Sequence, residues 1–295
     1  MRNRILAGLG VVALATVGLA APANAFTPGT ADLYIVHAFP ATADIADTTV
    51  DINIGDGAIL LPDVPEGVAA GPGLAAPGVA VAALGNIAPG SYNVEILLSA
   101  DTSVSLFDAN VTLEANKSYT AVAYPAVGGA FTVKVFENDL SAATGNGLIT
   151  VRHTANVTPV SVFSGTTRLA GPLANGQEGV LEVPAATYTD VNAGAAAADR
   201  NIELGNVVLP AHTNIFVHAY GPNLDPDGGD PSFSAVVFSI GGLTVPAGVP
   251  AGSAGLVAES APLNGVAIGG AAALLLVLMA SIAIVVRRRT AAVEH

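Results

Sequence analysis

The sequence predicts an all-β chain of two tandem domains, set between a removable leader and one apolar anchor. Three observations predict it. Short strand-like runs recur with turn residues between them, the second half repeats the first in order, and each end carries a long apolar tract.

The leader comes first. Met1-Arg2-Asn3-Arg4 is basic, Ile5 to Ala20 is apolar, and Ala23 and Ala25 are small residues spaced as in a secretory cleavage site. Residues 1–25 therefore read as a signal peptide, removed before Phe26. Strand-like alternation follows in Leu33 to Val36, Val50 to Ile54, Tyr92 to Ile96, Val104 to Phe107, Tyr119 to Tyr124 and Phe131 to Phe136. These runs are rich in β-branched and aromatic residues and are bounded by Gly, Pro, Asn and Asp, and no exported segment keeps a long helical period.

The runs then recur. Leu33-Tyr34-Ile35-Val36-His37 corresponds to Ile149-Thr150-Val151-Arg152-His153, and Ala88-Pro89-Gly90-Ser91-Tyr92 to the segment from Val183 to Tyr188. Val111 to Ala115 corresponds to Val207 to Ala211, and Phe131 to Phe136 to Phe233 to Phe238. The offset falls from 116 at the histidines to 96 at the tyrosines, so the first copy holds about 20 extra residues. The Gly, Pro and Ala-rich stretch at about 62–84 reads as that insertion, a surface loop between the second and third strands. The first domain is then 26–140 and the second 148–241, with the small polar stretch Ser141 to Gly147 as a linker that few contacts should cross. Residues 242–265 read as a flexible stalk.

The anchor closes the chain. Val266 to Val286 is uncharged and is followed at once by Arg287-Arg288-Arg289. At a rise of about 1.5 Å per residue it makes a helix about 32 Å long, enough to cross a hydrocarbon core of about 30 Å. The arginines place the tail, 287–295, in the cytoplasm and everything before the helix outside, a single-pass arrangement with the N-terminal bulk extracellular. Ala261-Pro262-Leu263-Asn264-Gly265 has the Pro and Gly spacing of the wall-sorting pentapeptide Leu-Pro-x-Thr-Gly, with Ala and Asn in place of its Leu and Thr; covalent attachment to the wall is the alternative.

Composition limits what the exported part does. It has five basic residues, Lys117, Lys134, Arg152, Arg168 and Arg200, against 22 acidic ones, a net charge near −17. That disfavours nucleic acid, and no nucleic-acid partner is expected, because phosphates need Lys and Arg to displace their counterions. With no cysteine anywhere, disulfide bracing, thiol catalysis and cysteine metal sites are excluded, and stability must come from the apolar core.

One resemblance is specific. A strand ending in Val36-His37 followed by Ala38-Phe39-Pro40, then Val50-Asp51-Ile52, a Pro-Gly turn before Tyr92-Asn93-Val94, and the Leu113 to Tyr119 segment together resemble the bacterial exported family known as domain of unknown function 4397. The resemblance covers roughly Ala31 to Phe238 as two copies. The second departs from it, since His153-Thr154-Ala155-Asn156 lacks the early proline and Val160-Ser161-Val162 the aspartate. The resemblance implies immunoglobulin-like β-sandwiches at the cell surface, and no known activity.

Few residues suggest chemistry. His37 and His153 stand at equivalent positions after the first strand of each copy; they read as ligands or, more simply, as turn histidines bonded to a neighbouring backbone carbonyl. No His-x-Glu or His-x-x-x-His spacing accompanies them. Asp225, Asp227 and Asp230 share a Gly-containing loop that could offer oxygens to calcium, but it lacks the distal glutamate of the twelve-residue calcium loop, and Pro226 stiffens it. Asp44, Asp47 and Asp51 are scattered acids with no assigned role. Neither Gly-x-Ser-x-Gly, Ser-x-x-Lys nor a phosphate-binding Gly-rich loop with its lysine occurs. The triplets starting at Asn110, Asn116 and Asn156 match the glycosylation pattern, as chance provides in a chain rich in Ser and Thr. The expectation is a cell-surface module without enzymatic activity or cofactor, serving envelope structure or recognition of a wall, protein or glycan partner. A binding protein for a small ligand or divalent cation is the second reading, and an exported hydrolase the third.

Overall fold

The computed structural model describes residues 27–40, 48–74, 84–223 and 232–244. The expected signal peptide, the anchor helix and the stalk beyond Thr244 lie outside the described residues, as do Asp225, Asp227 and Asp230. No helix among the described residues is long and apolar enough to cross a membrane.

The described chain is all-β. The first half contributes β1 (Ala31–His37), β2 (Val50–Ile54), β3 (Ile59–Val64), β4 (Val68–Ala70), β5 (Gly90–Leu98), β6 (Asp101–Leu113), β7 (Lys117–Pro125) and β8 (Phe131–Glu137). The second contributes β9 (Asn146–His153), β10 (Val160–Ser164), β11 (Thr167–Leu173), β12 (Gln177–Pro184), β13 (Ala186–Gly194), β14 (Ile202–Leu209), β15 (Thr213–Asn223) and β16 (Ser232–Gly241). Each half forms two four-stranded sheets: β4-β1-β7-β8 and β3-β2-β5-β6 in the first, β12-β9-β15-β16 and β11-β10-β13-β14 in the second. Strand for strand, the order is the same. In each half one pair is parallel, β1 with β7 and β9 with β15, and the other pairings are antiparallel.

Each half has its own core. Leu33, Ile35, Ile52, Ile54, Leu61, Val94, Ile96 and Leu113 pack between the sheets of the first; Ile149, Val151, Val162, Val191, Leu204, Leu209, Ile215 and Val217 do so in the second. The Pro-turn-Tyr pattern seen twice in the sequence has a local cause. The Tyr92 hydroxyl donates to the Ala88 carbonyl at 2.7 Å, and the Tyr188 hydroxyl to the Pro184 carbonyl at 2.9 Å, closing the turn before the third core strand in both halves. Asn116 and His212, with φ of 62° and 54°, make the equivalent left-handed turns into β7 and β15. Asparagine takes that conformation readily, and the Asn116 side chain also accepts the Gly29 amide at 2.9 Å.

The insertion is divided differently from the expectation. Pro62 to Val64 belong to β3 and Val68 to Ala70 form β4, so the stretch 62–84 begins as sheet. By register His37 pairs with Val68 and His153 with Gln177, an offset still at 109; it reaches 96 only at Tyr92 and Tyr188. Most of the extra chain therefore lies between β4 and β5, and part of the rest in the link 38–49, which is longer than its counterpart 154–159. Composition misled here because β4 is a three-residue strand set in Gly and Pro.

The segment joining the halves is also more than a spacer. Asn146 and Gly147 already belong to β9, and Ser141 bridges Thr244 in parallel, with the Ala142 amide donating to the Thr244 carbonyl at 3.0 Å and the Thr244 amide to Leu140 at 2.9 Å. Ala142 is buried with Leu148 and Leu243.

Candidate functional site

Among the described residues, the most chemically distinctive place is the face where the two halves meet. Side chains alternate along a strand, so in β1 Leu33 and Ile35 enter the first core while Tyr34 and Val36 point the other way. In β9 the outward pair is Thr150 and Arg152. Tyr34, Val36, Val122, Tyr124 and Phe136 of the first half pack with Phe216, Tyr220, Val236, Phe238 and Ile240 of the second as one buried cluster. This is why β1 is buried at every residue: its sheet is covered on both sides.

The contacts are reciprocal. A Cβ on Gly176 would stand 2.6 Å from the Tyr124 hydroxyl, and one on the equivalent Gly67 would stand 2.6 Å from the hydroxyl of Tyr220, the equivalent of Tyr124. Both glycines have φ of 76°. Tyr34 stacks on Phe238 across the face at 5.4 Å between ring centres, whereas Phe136, the equivalent of Phe238, lies under Arg152, whose guanidinium is 4.5 Å from its ring centre. The two halves thus meet like the subunits of a symmetric dimer, joined in one chain.

Arg152 breaks the symmetry. It is fully buried. Its guanidinium also lies 5.0 Å from the Phe216 ring centre, donates through Nε to Glu178 at 2.6 Å and through Nη2 to Asn138 Oδ1 at 2.8 Å, and leaves Nη1 without an acceptor. Burial brings its pKa down to about 10, against the opposing pull of Glu178. Asn138 is held on both sides: Oδ1 also accepts from Thr120 Oγ1 at 2.8 Å and Nδ2 donates to Ser118 Oγ at 2.9 Å. Asn214 accepts from Thr150 Oγ1 at 2.9 Å and donates to the Asp139 carbonyl at 2.9 Å. Further bonds cross between halves, from Lys134 Nζ to the Gly176 carbonyl at 2.6 Å and from Asn175 Nδ2 to the Pro125 carbonyl at 3.0 Å. Beside the joining segment the face opens into a cleft of about 840 Å³ lined by Lys117, Glu137, Asn138, Leu140, Ile240 and Leu243 among others.

The two histidines singled out by sequence keep to their own halves. His37 Nε2 bonds the Thr48 carbonyl at 2.6 Å and His153 Nε2 the Thr158 carbonyl at 3.2 Å, the geometry of a turn histidine. In each ring this leaves Nδ1 buried without a partner. Among the described residues, no three of His, Asp and Glu gather closely enough to hold a metal ion.

Two residues passed over in the sequence matter more. Arg152 was visible as a charge directly after the run Leu148 to Val151, within the same strand, where its first-half equivalent is Val36. His218, in the run from Ile215 to Tyr220, stacks on Phe238 at 5.6 Å with both ring nitrogens buried and unpartnered.

Residues 31–163 match the family described as Domain of unknown function (DUF4397). The match covers under half of the chain; it begins with β1 and ends in β10, past the segment joining the halves. No curated protein matches the chain.

The buried histidines predict a response to acid. Burial lowers the pKa of His37, His153 and, most of all, His218, where the Arg152 charge adds to the effect. Below their ordinary value near 6.5 the unfolded chain binds more protons than the folded one, so stability is full above that pH and falls as pH drops through 6. Asp32, whose pKa burial raises, acts in the opposite sense, and only nearer its ordinary value of 3.8. Thermal melts should show Tm falling between pH 7 and pH 5, and His218→Leu should flatten that fall.

Proposed function

We propose that this chain is an exported surface protein, anchored by its C-terminal helix, whose two halves are tandem immunoglobulin-like DUF4397 domains acting as one non-enzymatic body in envelope structure or in recognition of a protein or glycan partner. The observation that carries the reading is the buried face. Its arginine, asparagines and aromatic rings are engaged in joining the halves, so the polar groups most costly to bury are spent on architecture. The common strand order of the two halves supports two copies, and an acidic exported part supports a solvated, self-repelling surface.

Protease added to intact cells should degrade the chain down to its membrane-protected end, and deletion of 266–286 should release it to the medium. Release of the intact chain only by a wall hydrolase would assign covalent attachment at 261–265 instead, and full protection from protease would overturn the reading. Crosslinking on intact cells, followed by purification, would identify the partner.

A further inference from the structure

We infer that Arg152 makes the face between the halves selective: it fits the second half to a first half and sets it against another copy of itself. A face built from two related halves invites the wrong pairing, because the aromatic contacts are nearly interchangeable. Phe136 and Phe238 hold equivalent places opposite Thr120 and Phe216, and the Tyr-to-Gly contact works in either direction. The polar contacts are not interchangeable. Asn138, which accepts the Arg152 guanidinium, is replaced at the equivalent position of the second half by Ile240, and Lys134, which donates to the Gly176 carbonyl, by Val236.

Two second halves paired through this face would bury two guanidinium groups, each lacking the Asn138 acceptor, and would leave two Gly176 carbonyls without the lysine. Each guanidinium would keep Glu178, which lies in its own half, but would lose its other acceptor; a buried donor left unsatisfied costs free energy, and disfavouring the wrong pairing in this way gives specificity without strengthening the right one. Pairing of two first halves escapes this penalty, since Val36 stands where Arg152 would be. The selection therefore acts against second-with-second pairing in particular. This inference does not depend on where the chain resides or what it recognises.

The test uses the full chain in detergent, with a protease site inserted after Thr144, in the exposed stretch Ala143 to Gly145. After cleavage, the halves are separated in denaturant, refolded together and weighed by native mass spectrometry. The wild type should stay paired after cleavage and refold to first-with-second pairs at least about tenfold in excess of second-with-second pairs. Arg152→Val, which installs the first-half residue, should raise second-with-second pairs several-fold, and Arg152→Met should do the same if the smaller side chain impairs folding. Separation of the halves on cleavage, a statistical mixture from the wild type, or pair ratios unmoved by both substitutions would overturn the inference.

Discussion

Glu178→Ala should destabilise the folded protein by about 3 kcal/mol, whereas Arg152→Met should cost about 1 kcal/mol or less. The two substitutions break the same ion pair, but they leave different partners behind. Without Glu178, the Arg152 guanidinium stays fully buried between Phe136 and Phe216 with only Asn138 to hold it. Without Arg152, the Glu178 side chain is already 25% exposed and turns to water, and methionine fills the slot between the rings. The expectation for Glu178→Ala lies at the low end for a broken buried pair because of that exposure. In a chain of this size it corresponds to a fall in Tm of roughly 6–12 °C. Melting both variants side by side checks the order; equal losses would mean that stranding the buried charge is not what makes the first substitution costly.

Phe238→Ala should cost about 3–5 kcal/mol, as expected for a buried aromatic truncated to alanine. Phe238 touches Tyr34 at 5.4 Å, Phe216 at 5.0 Å and His218 at 5.6 Å, so its loss opens a cavity where both halves meet. A truncation inside one core, such as Leu61→Ala, is of similar chemistry but leaves that face intact. The two should differ under limited proteolysis. Phe238→Ala should make the segment from Ser141 to Gly145 readily cut at temperatures where Leu61→Ala still protects it.

The strands and their repetition were legible because both rest on local pattern: β-branched runs, turn residues, and the tyrosine that closes an equivalent turn in each half. The joining face was harder to see because it depends on which side of a strand meets which partner. A signal was present. Leu33 to Val36, Tyr119 to Tyr124, Leu148 to Val151 and Ile215 to Tyr220 are nearly continuous apolar runs, not alternating ones, as strands buried on both faces require. Read that way, Arg152 and His218 stand out as polar groups inside doubly buried strands. The stretch expected to be all loop, 62–84, begins instead with the end of β3 and the whole of β4, because a three-residue strand carries too little pattern to rise above its Gly and Pro neighbours. The histidines drew attention through their equivalence, whereas their geometry ties each to a turn in its own half.

Differential scanning calorimetry of residues 26–262 tests the union of the two halves most directly. Two sandwiches joined through a buried aromatic and arginine face should unfold in one transition, with the calorimetric and van't Hoff enthalpies equal. Two resolved transitions, or a van't Hoff enthalpy near half the calorimetric value, would mean that the halves fold and melt as independent domains on a string.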